Sequence, residues 1–141
     1  MDVEVNFLAV FLAMLSSLVV GSVWYARSVF GTEWGKLAKV DMSKDRGSVF
    51  KPIAVTIIVS LITAYILAHV TFLSNTYFGN TFLQDALTTG FWMWLGFVAA
   101  RIITHDAFEE RPVKLTAINL GNEFATIMLM ALIIGILGVD N

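Results

Sequence analysis

Residues 53–73 read IAVTIIVSLITAYILAHVTFL and contain no aspartate, glutamate, lysine or arginine. A helix rises 1.5 Å per residue, so about 20 such residues cross a hydrocarbon core about 30 Å thick. No water satisfies backbone groups inside that core, and the segment must close its own hydrogen bonds as a helix. Residues 5–26, 82–100 and 115–137 are likewise predominantly apolar and of similar length. Short segments of alternating polarity, the mark of a transmembrane β-barrel, do not occur. The expectation is an all-α integral membrane protein, a single domain over residues 1–141 with four transmembrane helices.

Composition agrees. Hydrophobic residues make up 57% of the chain and charged residues 14%, against about 45–50% and about 25% in soluble domains. A chain of 141 residues has no core large enough to hide that surplus from water. The absence of cysteine excludes disulfides, thiolate metal sites and cysteine nucleophiles. Two histidines do not make a histidine-rich metal centre, and a net charge of −2 gives no reason to expect a nucleic-acid partner. The first run follows Asp2 and Glu4 rather than a basic region, and Trp24-Tyr25-Ala26 lacks a cleavage pattern, so it reads as a retained helix.

All nine lysines and arginines lie in two segments. Arg27, Lys36, Lys39, Lys44, Arg46 and Lys51 separate the first two helices; Arg101, Arg111 and Lys114 separate the last two. The positive-inside rule then places both basic loops in the cytoplasm and both termini outside, in a cell membrane of the bacterial inner-membrane type. Trp24, Tyr25, Phe30 and Trp34 form the inner aromatic belt, Phe72, Tyr77 and Phe78 the outer one, and Trp92 and Trp94 serve packing inside helix three. Within the basic loop 27–52, Thr32 and Glu33 resemble a helix start. Trp34, Leu37, Ala38 and Val40 would form its apolar face, with Lys36 and Lys39 toward headgroups. An irregular loop that only fixes topology is the alternative. Gly47 and Pro52 bracket the approach to helix two.

Small residues recur every four positions at Ala9, Ala13, Ser17 and Gly21, at Thr56, Ser60, Ala64 and Ala68, and at Ala117, Gly121 and Ala125. Such stripes let helix backbones approach closely in lipid. They serve contacts inside one bundle or, on the sharper reading, the seam of a homo-oligomer.

Asn119, Asn122, Glu123 and Thr126 share one face of helix four. Glu123 stands eight residues beyond Leu115, about 12 Å into the span, and an ionisable group at that depth is a functional candidate. It can act as hydrogen-bonded glue with Asn119 and Asn122, as a site that binds or relays a cation or proton, or as a headgroup site for a lipid or small molecule. Ser17, Ser60 and Trp94 fall near its level, and Arg101 is the cation that could bend toward it. His69 reads as a packing residue. His105, Asp106, Glu109 and Glu110 match no metal-ligand spacing and read as a solvated turn. No nucleophile stands with a base and an orienting partner, so no catalytic residue, cofactor or metal is expected.

The segments Gly21-Ser22-Val23-Trp24-Tyr25 with Phe30-Gly31-Thr32-Glu33-Trp34, and Phe108-Glu109-Glu110-Arg111-Pro112-Val113-Lys114-Leu115 with Asn119, resemble the family of small membrane proteins catalogued as domain of unknown function 1761. The resemblance covers nearly the whole chain and implies the same four-helix architecture, with no activity, cofactor or catalytic residue to carry over. Where that pattern leads to an aromatic residue shortly after Asn119, this chain has Asn122-Glu123, which makes Glu123 its own. The expected function is that of a non-catalytic structural or interaction protein whose partners are membrane lipid and copies of itself. A small transporter or channel component using the Glu123 face is the first alternative. A lipid-binding or lipid-modifying protein is the second.

Overall fold

A computed structural model describes residues 3–40 and 50–139. Lys44, Arg46 and Gly47 lie outside the described residues. Helix α1 (Phe7–Trp24) starts where the Asn6 side chain accepts from the Ala9 amide at 2.9 Å, satisfying an amide that has no partner within the helix. Helix α2 (Gly31–Leu37) lies in the basic connection and confirms a short helix there, although Phe30 rather than Thr32 occupies its N-cap position. Helix α3 spans Phe50–Phe78. Thr81 and Gln84 form a reciprocal capping box that opens α4 (Phe82–Met93). A π-helical segment (Trp94–Ala99) carries the chain into α5 (Ala100–Phe108), so the third span is continuous from Phe82 to Phe108. Pro112 precedes α6 (Val113–Leu137), which stops at Gly138 with φ +65°.

Four helices are therefore long and apolar enough to cross a membrane, and no strand occurs among the described residues. The second and third spans outrun their sequence boundaries. Apolarity ends at Arg101, but helix propagation needs only backbone partners, and the polar end of a long helix can emerge from lipid. The third span accordingly continues through His105 and Asp106.

The spans pack in the cyclic order α1, α3, α4–α5, α6, with α3 and α6 on the diagonal. Trp24, Phe50, Phe108 and Val113 mark one end of the bundle, here called the basic end. The core sits in the opposite half, where Ala9, Ala13, Ala64, Leu67, Ala68, Ile127, Met130, Ala131 and Ile134 interlock. Small residues bring the backbones together as the stripes suggest: Ala13 and Ala64 are fully buried, and the Ser17 and Ser60 hydroxyls meet at 2.8 Å. The seam between α4 and α6 depends on a residue outside the three stripes. A Cβ on Gly90 would stand 2.9 Å from the Cβ of Ala131.

The basic half is built differently. Between Phe50 and Val59 no residue of α3 is buried, and its buried positions begin at Ser60. Helix α3 packs on α4, then parts from the third span at the π-helical segment.

Candidate functional site

Three helices leave a cavity of about 580 Å³ in the basic half, bounded by α1, α3 and α6. From α6 come Asn122, Glu123 and Thr126; from α1, Ser17, Gly21 and Ser22, with Tyr25 just beyond its end; from α3, Thr56, Ser60 and Thr63. Apolar walls are added by Leu18, Ile53, Val55, Val59, Ile127 and Met130. The α-helical repeat of α6 explains the grouping, since positions 119, 122, 123 and 126 face one side. Three of the four predicted polar residues of α6 thus share one cavity, and Ser17 and Ser60 join them from other helices.

Asn119 has a separate job. Its Oδ1 accepts from Trp34 Nε1 at 3.1 Å and from the Tyr25 hydroxyl at 3.3 Å. Trp24 Nε1 donates to the Ile118 carbonyl at 3.1 Å. Tyr25 and Trp34 meet edge to face at 5.3 Å, and Trp24 lies 4.8 Å from Phe30. These four aromatics are a cap folded onto the start of α6, a closer role than the interfacial belt the sequence suggested. Burial, and next the nearby Glu123 carboxylate, push the Tyr25 hydroxyl up to about 12. It therefore stays a neutral donor at physiological pH.

Gly121 fits beneath this cap: a Cβ there would stand 2.7 Å from the Trp24 ring. Gly21 has no such duty. A Cβ on it would meet nothing within 4 Å, and the residue borders the cavity. Ala125 is half-buried and belongs to no tight core contact among the described residues.

Glu123 lies ten residues from the start of α6, about 15 Å along its axis, and is half-buried. Among the described residues its carboxylate makes no hydrogen bond and no ion pair. Neither Asn119 nor Asn122 bonds it, and Arg101 is exposed without reaching it. The surroundings offer hydroxyl groups, two of them as acceptors. The Thr56 and Thr63 hydroxyls donate to their own helix at Pro52 and Val59 (both 3.0 Å), leaving lone pairs. Asn122 Nδ2, buried and unpartnered, adds one donor.

Two buried carboxylates escaped the sequence reading. Asp85 accepts from Asn75 at 2.8 Å and from Asn80 at 3.0 Å, tying the turn between α3 and α4. Asp106 was expected in a solvated turn but is buried, accepting from the Thr116 hydroxyl at 2.6 Å. Burial at a helix crossing, rather than solvation, follows because Thr116 on α6 supplies its donor. No metal-binding group of histidine and carboxylate side chains forms among the described residues.

An all-helical bundle with four membrane-length helices and a carboxylate-bearing cavity defines a small polytopic membrane protein. The chain belongs to the family described as "Protein of unknown function (DUF1761)", whose model matches residues 8–135. No curated protein and no solved structure matches it.

Proposed function

We propose that this protein is a non-catalytic membrane component that binds a monovalent cation at Glu123, in the manner of a small transporter or channel subunit. One observation carries the reading: a carboxylate with no partner among the described residues, in a membrane-spanning helix, faces a cavity lined by hydroxyl groups. Carboxylates within spans pair with cations or mark their routes, because an isolated charge there is costly. The basic end lies in the cytoplasm on this reading, so the cavity occupies the inner half of the membrane.

The test uses the purified protein in lipid vesicles and nanodiscs. Wild type should bind tetramethylammonium, and cation or proton flux should depend on the carboxylate; Glu123→Gln should lose both. Binding and flux unchanged in the Gln variant would overturn the assignment.

Homo-oligomerisation is a separate proposal. Its support is Gly21, a small residue of the α1 stripe at the edge of the cavity, where an added Cβ would meet nothing within 4 Å among the described residues.

A further inference from the structure

We propose that the Glu123 cavity takes an amphiphilic ammonium compound, one positive head with an apolar chain, that arrives sideways from the membrane between α3 and the third span. The inference rests on the cation-binding reading and names its ligand class.

The shape argues first. The α3 wall runs from Ile53 to Thr63 and the α6 wall from Asn122 to Met130, so the cavity extends about 12–15 Å along the helices. Its volume of about 580 Å³ is typical of sites for small organic molecules. A bare metal ion would need a shell of about six oxygens gathered within about 2.6 Å. Here the hydroxyls are spread along three helices, and Ile53, Val55, Val59, Ile127 and Met130 stand between them. One charge with a length of apolar wall suits a charged head and a hydrocarbon tail.

The route argues second. Because α3 leaves the third span at the π-helical segment, a second void of about 180 Å³ opens there among Thr63, Ile66, Leu67, Met93, Phe97, Val98 and Ile127. Thr63 and Ile127 belong to both voids. The apolar void thus adjoins the carboxylate cavity, on a side where Phe97 is exposed. In a bilayer that side would meet acyl chains, and the void between them and the carboxylate cavity is apolar apart from Thr63, which gives a tail its route on this proposal. π-Helical turns often mark functional positions, and this one makes the gap.

The measurement is binding of tetramethylammonium and of butyl-, hexyl- and octyl-trimethylammonium to the protein in zwitterionic nanodiscs. Glu123→Gln nanodiscs, run in parallel, remove the contribution of lipid. Affinity for the wild type, after that subtraction, should rise with chain length by up to about fourfold per methylene, because the bound tail leaves water. Val59→Trp, at an exposed rim position, should weaken octyl binding and spare tetramethylammonium. A Glu123-dependent affinity that is flat with chain length, or a Val59→Trp variant that weakens all four alike, would overturn the amphiphile while the cation site stands. Absence of Glu123-dependent binding for every probe, tetramethylammonium included, would overturn both.

Discussion

Trp34 Nε1 donates to Asn119 Oδ1 across 85 positions of chain at 3.1 Å. This bond joins the two segments that carry the family resemblance, fixing α2 over the start of α6. Trp34→Phe keeps a ring against Tyr25 and removes the donor. It should lower stability by about 1 kcal/mol, the usual net worth of one hydrogen bond. Asn119→Ala removes the acceptor of both Trp34 and Tyr25 and should cost about 1–3 kcal/mol. Thermal melts of the single variants and the pair should show less-than-additive losses, since both report one contact.

Glu123 behaves oppositely to a residue that glues helices. Its carboxylate has no protein partner among the described residues, so Glu123→Ala orphans nothing and removes a group that is expensive in lipid. Melting temperature should hold or rise in both Glu123→Gln and Glu123→Ala. A loss of about 1–3 kcal/mol in the Ala variant would restore the glue reading.

Gly121 and Gly21 should separate intrachain packing from association. Gly121→Leu drives a side chain into the Trp24 ring and should reduce thermal stability by at least about 1–3 kcal/mol, as overpacking does. Gly21→Leu meets open space and should melt like wild type. If chains associate through that face, the same variant should lower particle mass by light scattering in mild detergent.

Lys114 Nζ approaches Glu33 Oε1 at 2.8 Å, a second tie between α2 and α6. The hydrogen bond and then the charge of Lys114, with Lys36 as a weaker contributor, hold the Glu33 carboxyl below its ordinary 4.5. A lowered folded-state value means the tie contributes above pH 4.5 and is lost as pH falls through the folded-state value. The difference in melting temperature between wild type and Glu33→Gln should be small, present at neutral pH, and absent in acid. Salt should shrink it, because both groups are solvent-facing.

Sidedness can be read by labelling, since the chain has no native cysteine. Thr32→Cys lies at the basic end and Thr76→Cys at the other. An impermeant thiol reagent applied to intact cells should label position 76 and spare 32. The reverse pattern would invert the orientation.

The spans were legible because a bilayer imposes one rule on every residue, and runs such as 53–73 obey it openly. The polar face of α6 was legible for a similar reason: a helical repeat is local, so Asn122, Glu123 and Thr126 could be grouped without knowing a neighbour. What lay hidden was pairing across helices. Trp34 and Tyr25 have the composition of an interfacial belt, and only the turn after α1 shows that they reach Asn119. Asp106 looks solvated beside Glu109 and Glu110 until Thr116 is placed against it. Gly90 escaped notice because Ala131, its counterpart on α6, is distant in sequence. The cavity itself has no local signature, as it arises where α3 departs from its neighbour.

A π turn departs from the pitch of the α-helix around it, and each residue of an α-helix accounts for about 100° of rotation. The segment Trp94–Ala99 therefore lets the two halves of one span choose their faces separately. Its first half serves a full four-membered cross-section; its second attends to α6 and leaves α3 standing apart. The two halves of the bundle are accordingly different objects, a closed quartet in one and a trio with an outrigger in the other. In a bilayer the exposed positions of α3 between Ile53 and Val59 that turn away from the cavity would meet acyl chains, which would make the lipid itself a structural component of that half.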